Sequence, residues 1–264
     1  MKYRYQDYTW PEIRELAKHK PVCVIPCGTV EQHGPHLPLS TDFLTATGFS
    51  ERAVENVSPD AILLPTVHYG FNEHHMDFPG TIAIPGQDFI NYTTNIGLSL
   101  VRHGFDKILY VNGHGSNRPF LEIAAREVCN QTDAFSALVS WWSLIPREIV
   151  GTELTSEYPG GVSHACELET SVLLHMHPEL VDMSKAVRDL GFPATKYLWR
   201  DVRSPSPVVV NEQWSRHSRT GIQGDPTLAT QEKGRVIVDA VVDNLSQLLI
   251  ELKNREYRPR VDHH

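Results

Sequence analysis

The sequence predicts an α/β fold in three layers, a mostly parallel sheet with helices on both faces. Three observations carry that expectation. Short apolar runs recur at VCVIPCG (22–28), AILLPTV (61–67), KILYVNG (107–113) and FSALVSWW (135–142). Longer segments of helical character separate them, at 42–57, 87–105 and 117–131. Strand–helix alternation with near-continuous apolar strands is the pattern of a parallel sheet covered on both sides. Finally, the polar clusters EQHGPHLPLSTD, HYGFNEHHMDFPGT and NGHGSN directly follow the first three runs. Open α/β sheets gather ligand sites at the carboxyl ends of their strands.

In the first run, Cys23 and Cys27 stand four apart on a strand and so share one face as small apolar fillers. With Cys129 and Cys166 they make no disulfide framework and no zinc-ribbon spacing. A further helix is expected over 163–177, with Ser163 as its N-cap. The stretch 178–227, rich in Pro, Ser, Arg and Trp, reads as loops around an opening or a subunit contact. The last helix, 227–256, carries apolar residues at Val236, Val238, Ala240, Val241, Leu245, Leu248, Leu249 and Leu252, the stripe of a helix packed on a sheet. No linker or repeat divides the chain, so one domain over 1–264 is expected.

Composition narrows the class. A hydrophobic fraction of 41% over 264 residues is enough for a sizeable core. A net charge of -8 without a Lys/Arg cluster argues against nucleic acid as the main partner. No apolar run approaches the ~18–20 residues of a membrane span, and MKYRYQDYTW lacks a signal-peptide stretch. A soluble, cytoplasmic protein with no membrane partner is the expectation. There is no GxSxG elbow, Walker loop, dinucleotide fingerprint or HExxH.

The 14 histidines stand out, several beside acidic residues. The terminal pair His263–His264 is set aside. Glu31 and His33, two apart in extended chain, point to one side. Asp42 opens a helix, where a carboxylate complements the helix N-terminus whether or not it binds metal. Together the three suit a borderline cation such as zinc, manganese or iron. His114 lies between Gly113 and Gly115, which permit tight turns and close approach to a ligand. Asn112 and Asn117 can tie that loop to backbone. In SHACELETS, ideal helical spacing puts Glu167 about 60° and Glu169 about 140° from His164, so Glu167 would share the histidine's face. His68, His74 and His75 precede Phe78-Pro79-Gly80-Thr81, a tight turn shaping a pocket wall. Trp141 and Trp142 either wall a planar ring by stacking or pack in the core.

These elements, in this order, resemble the creatininase (creatinine amidohydrolase) family, which includes deformylase-type and peptidase-like members. The residues are Gly28-Thr29-Val30-Glu31-Gln32-His33-Gly34, His36-Leu37-Pro38, Thr41-Asp42, Glu73, His75, Phe78-Pro79-Gly80-Thr81, Asn112-Gly113-His114-Gly115, Asn117, and His164-Ala165 with Glu167 and Glu169-Thr170-Ser171. The resemblance implies a homo-oligomer, usually a hexamer, with two divalent metal ions per chain. Glu31 and His114 would bind one metal, His33 the other, and Asp42 would bridge them. Creatininase completes the second metal with a glutamate two residues after the NGH histidine. Ser116 stands there instead, so Glu169 is the candidate replacement and Glu167 its rival.

By the same resemblance His164 is the active-site histidine. The glutamate not bound to metal, taken as Glu167, would relay protons, and His75 and Ser116 would contact substrate. Two bridged cations would lower the pKa of a shared water and polarise an amide carbonyl, while His164 protonates the leaving amine. The expected substrate is a small-molecule cyclic amide or formamide. Gly160 and Gly161 stand where creatininase closes its pocket with a tryptophan and an aspartate, which argues against creatinine itself. The alternatives are a peptidase-like member acting on a short modified peptide and a non-catalytic metal-binding protein of the same fold.

Overall fold

The first apolar run forms β1 (Val22–Cys27), buried along its whole length. The computed structural model describes residues 2–258 and 260–264. β1 lies between β2 (Ala61–Leu63) and β3 (Lys107–Asn112), and β4 (Phe135–Ser140) flanks β3. The order is β2-β1-β3-β4 and every pairing is parallel.

Side chains alternate across the sheet and sort the core into two halves. Val22, Val24, Leu109 and Val111 pack with residues of α2 (Thr41–Val57), α6 (Glu167–Met176) and α7 (Gln231–Asn254), among them Phe49, Val172, Val241 and Leu245. Cys23, Ile25, Cys27, Ile108 and Tyr110 face the other way, toward α1 (Trp10–Lys18), α3 (Gly86–Arg102) and α4 (Arg118–Gln131), through Leu16, Phe89, Leu100 and Leu121. This is the expected layering. Cys23 and Cys27 share a face, as their spacing requires, and all four cysteines are free.

Several boundaries move for local reasons. β2 stops at Leu63 because Pro65 offers no N–H to a ladder. β4 ends at Ser140 and a 3₁₀ turn, Trp141–Leu144, follows. α3 stops at Arg102, just before Gly104 reverses the chain with φ +96°. α7 begins at Gln231, capped by the Thr230 hydroxyl, which accepts from Lys233 N–H at 3.2 Å. Two helices had no expectation: α1 and α5 (Arg147–Glu153). The signal for α1 is Thr9-x-x-Glu12, since Thr9 N–H donates to the Glu12 carboxylate at 2.7 Å.

The larger correction concerns 163–177. Val162–His164 is a strand, β5, paired antiparallel with β6 (Gln223–Gly224) in the register Val162↔Gly224 and His164↔Gln223. Ala165 then turns through φ +49° and α6 starts at Glu167 with Cys166 as its N-cap. Ser163 is therefore no helix cap. A pairing partner far along the chain overrides the local helical signal. Apart from β6 and short 3₁₀ turns, residues 178–227 are irregular, and several line the opening described below. No helix among the described residues is long and apolar enough to cross a membrane.

Candidate metal centre

β1 and β3 are neighbours, so the segments leaving their carboxyl ends emerge side by side. Glu31 and His33 follow β1, and His114 follows β3. Asp42 reaches them because the first turn of α2 seats directly on two glycines. A Cβ at Gly113 would lie 2.2 Å from the Asp42 carbonyl oxygen, and one at Gly28 would lie 2.4 Å from Phe43 N and Cα. Asn112 and Asn117 hold the loops, as expected. His114 N–H donates to Asn112 Oδ1 at 3.0 Å, and Asn112 Nδ2 donates back to the His114 carbonyl at 2.7 Å. Asn117 Nδ2 donates to the Gly28 carbonyl while its Oδ1 accepts from Phe71 N–H.

The result is a buried cluster of carboxylates and imidazoles. His33 Nε2 lies 3.1 Å from Asp42 Oδ1 and 4.0 Å from Glu169 Oε1. His114 Nδ1 lies 3.2 Å from Asp42 Oδ2, and its Nε2 is 3.3 Å from Glu31 Oε2. His75 Nε2 and His164 Nδ1 approach Glu31 Oε1 at 3.3 and 3.6 Å. Yet both Glu31 oxygens, Asp42 Oδ2 and His33 Nε2 are buried and make no hydrogen bond within the described residues. Buried polar atoms without partners are costly and rare, and a cation would satisfy all four. Ligand atoms lie within 4.8 Å of one another in three groups: Glu31, His74 and His114; Glu31, His33 and His164; His33, Asp42 and Glu169. Carboxylate oxygen with imidazole nitrogen suits zinc, manganese or iron. His33 also donates from Nδ1 to the Glu31 carbonyl at 3.0 Å, which turns its Nε2 lone pair into the cluster as metal-binding histidines do.

Electrostatics agree with a site built for positive charge. Burial, reinforced by the Asp42 and Glu169 charges, pushes the Glu31 carboxyl up to about 8 against the pull of His114 and His33. Burial also opposes the Asp42 carboxylate, but His33 and His114 outweigh it and hold its pKa well below the ordinary value. Burial disfavours both imidazolium ions, yet the facing carboxylates raise His33 to about 10 and His114 to about 9. His164 and His75 are driven well below their ordinary values by burial and by neighbouring histidines. Protons stand in for cations wherever carboxylates press on a histidine.

Gln32 organises the remaining nitrogens. Its amide nitrogen is 2.7 Å from His75 Nδ1 and donates to the Gly221 carbonyl at 2.9 Å. Those two bonds use both amide hydrogens, so His75 Nδ1 accepts and its Nε2 carries the proton toward Glu31. The Gln32 carbonyl lies 2.9 Å from His164 Nε2, which therefore donates, leaving His164 Nδ1 as a bare acceptor facing Glu31. Gly221 is required beside this amide, since a Cβ there would lie 1.8 Å from Gln32 Oε1. Trp214 covers the network. Its ring stacks on His75 with centroids 4.6 Å apart, meets His164 edge-on at 5.0 Å, and its Nε1 donates to the Gly221 carbonyl.

The same residue order extends well beyond the site. The creatininase (creatinine amidohydrolase) family matches residues 6–249. The chain belongs to the creatininase family. It is 32% identical over 240 residues to a mycofactocin precursor peptide peptidase of Mycolicibacterium smegmatis, covering 87% of this chain and 85% of that protein. With a creatinine amidohydrolase of Pseudomonas putida it shares 27% identity over 262 residues, covering 93% of this chain and 95% of the relative. A solved creatininase superposes with a TM-score of 0.81 at 25% identity, over 97% of this chain and 99% of that one.

For this creatininase-family chain, the structure brings Glu31, His33, Asp42, His114, His164 and Glu169 to one place. Glu167 does not join them. Because β5 ends at His164 and Ala165 turns the chain, the expectation that Glu167 shares the His164 face is corrected. The Glu167 carboxylate instead pairs with Lys233 and accepts from the backbone and hydroxyls of Thr155 and Ser156. Glu169 Oε2 accepts from Ala165 N–H at 2.5 Å, so the left-handed turn at Ala165 helps aim this side chain. His36 stays outside the cluster, its Nε2 against the Thr170 hydroxyl at 2.9 Å.

His75 lines the cavity with its ring, but both nitrogens face Gln32 and Glu31. Ser116 Oγ lies 3.1 Å from His74 Nε2. Trp141 is buried and stacked on Phe49, a core position, whereas Trp142 is half-buried. The cavity over the cluster has a volume of about 1170 Å³. Sequence reasoning missed Trp214 and Gln32 and gave His74 no ligand role. For His74 and Gln32 the available signal was adjacency to His75 and His33; for Trp214, inside an irregular segment, there was none.

Proposed function

We propose that this chain is a binuclear metal-dependent hydrolase that cleaves an amide C–N bond. The observation that carries the reading is the set of buried, hydrogen-bond-free atoms of Glu31, Asp42 and His33 turned toward one another. Of the three donor groups, Glu31, His114 and His74 would hold one metal and His33, Asp42 and Glu169 the other. Asp42 faces His33 with one oxygen and His114 with the other, the disposition of a bridging carboxylate. Two divalent cations, zinc, manganese or iron by this donor set, would supply Lewis-acid activation of a water and of the substrate carbonyl.

The chain's own residues account for the proton. His164 is held neutral, with its Nε2 hydrogen committed to the Gln32 carbonyl. Its Nδ1 lone pair takes the proton released as water attacks, then delivers it to the departing amine nitrogen. Gln32 and Trp214 fix the orientation of that ring. Glu167, locked in its ion pair, has no part in the transfer.

A cavity of about 1170 Å³ favours the second of the substrate classes, a short peptide, over a small cyclic amide or formamide. Pockets for drug-sized ligands run roughly 300–1,000 Å³. The 32% identity to a peptide peptidase supports the same choice. The test is metal analysis of the purified protein, followed by hydrolysis assays on short peptides, lactams and formamides before and after chelation. Two metals per chain and chelator-sensitive cleavage are expected. Fewer than one metal per chain after incubation with excess zinc or manganese would sink the reading.

A further inference from the structure

The irregular segment over the cavity carries two arginines three residues apart that differ sharply in their partners. Arg203 is fully engaged: it pairs with Asp201 at 2.7 Å and donates to the Ser156 and Glu157 carbonyls. Arg200 lines the same cavity as Glu31, Asp42 and Glu169 but forms no ion pair among the described residues. Its polar contact is a marginal 3.5 Å approach to the Val210 carbonyl, and its buried Nε has no partner among the described residues. The nearby carboxylate of Glu212 faces His217 at 3.7 Å instead.

What holds Arg200 is aromatic. Its guanidinium carbon sits 4.6 Å from the centre of the Trp214 ring and 5.0 Å from that of Phe192. Trp214 is the ring that also packs on His75 and His164. One indole therefore fixes both the reacting end of the cavity and a half-buried guanidinium. A planar fork of donors, positioned by stacking and left without an internal acid, is the arrangement that takes up a carboxylate in bidentate fashion. An anionic group anchored there leaves the rest of the substrate to extend toward the Glu31, Asp42 and Glu169 end of the same cavity.

We infer that Arg200 is a specificity-determining residue that binds a carboxylate of the substrate and directs its scissile amide toward the Glu31–Asp42–Glu169 end of the cavity. This rests on the hydrolase reading above and deepens it. The carboxylate has two available sources, the C-terminus of a short peptide or the acid group of an N-acylated amino acid. Both present the same chemistry to the guanidinium.

The experiment measures binding by calorimetry to manganese-loaded wild type, Arg200→Ala and Arg200→Lys, after equal metal content has been established. One probe pair is an N-acetylated tripeptide with a free C-terminus and the same tripeptide as its C-terminal amide. The other is N-formylglycine and its methylamide. Wild type is expected to favour the acid over the neutral partner on the order of 10- to 100-fold in at least one pair, and the pair that responds identifies the source. Arg200→Ala should abolish that preference while leaving the neutral probe within about 3-fold, a spread below one charge-assisted hydrogen bond. Arg200→Lys should restore part of it. Equal binding of acid and neutral probes by wild type, including no binding of either, overturns the inference, as does a preference that survives in Arg200→Ala. Hydrolysis is followed in parallel: a preference without cleavage of any probe would count against the hydrolase reading alone.

Discussion

Gly113 and Asp42 are in backbone contact: any side chain at 113 would press its Cβ to within 2.2 Å of the Asp42 carbonyl oxygen. The loop leaving β3 thus serves as the seat for the first turn of α2, and Asp42 inherits its place from a glycine just past the end of that strand. Gly113→Ala should shift that turn and loosen the cluster. Overpacking of this kind costs about 1–3 kcal/mol, read as a lower melting temperature. Bound metal per chain should fall alongside. A variant with wild-type metal content would show that the seat is not what places Asp42.

Glu167 and Glu169 lie in one helical turn yet face different partners, and their amide variants should part cleanly. Glu169→Gln should lower metal content with little loss of stability. Glu167→Gln should keep its metal but leave Lys233 facing an uncharged partner. Breaking a buried pair typically costs roughly 3–5 kcal/mol, measurable by denaturant unfolding. Metal loss from Glu167→Gln and not from Glu169→Gln would reverse the assignment.

His74 stands beside Glu31 and His114, hydrogen-bonded through Nε2 to the Ser116 side chain. The family resemblance gave Glu31, His114 and the bridging Asp42 to this metal, and the geometry adds an imidazole to Glu31 and His114. His74→Ala should weaken binding of one of the two metals by at least about 10- to 100-fold, the range seen even for groups that only orient ligands. Competition with a chelator of known affinity would read this directly, and unchanged affinity for both metals would remove His74 from the ligand set.

Four groups of the cluster, Glu31, Glu169, His33 and His114, have raised pKa values and therefore one sign of pH dependence in metal-free protein. Glu31 is raised to about 8, His114 to about 9 and His33 to about 10. Each holds its proton more tightly folded than unfolded, so each contributes stability at low pH that is lost as pH rises through its folded value. The melting temperature of chelated protein should drop between pH 6.5 and pH 10. Metal affinity should climb over the same range as His33 and His114 release their protons. A flat or rising melting temperature in chelated protein would contradict the proton-for-cation picture.

Much of this molecule was readable before folding. The parallel sheet followed from unbroken apolar runs, because strands buried on both faces need no polar residues. Glu31, His33, Asp42 and His114 stood out because chemistry-bearing side chains clustered directly after those runs. The weaker readings failed where local rules met distant partners. Spacing favoured Glu167 over Glu169, since an ideal helix was assumed from Ser163 onward. Pairing of Val162–His164 with Gln223–Gly224 removed that premise, and the turn at Ala165 re-aimed everything after it.

Sequence alone determined the layers of the fold, the family and the residue types available to a metal, because periodicity and composition are properties of short stretches. Tertiary structure decided which of those residues meet. Glu169 faces inward, His74 joins Glu31, Gln32 sets the protons of His75 and His164, and Trp214 draws Arg200 to the cavity. Each of these depends on segments far apart in the chain brought within a few ångströms. Hydrogen bonds and ring contacts act over distance in space, and spacing along a sequence carries that distance only while the chain stays regular.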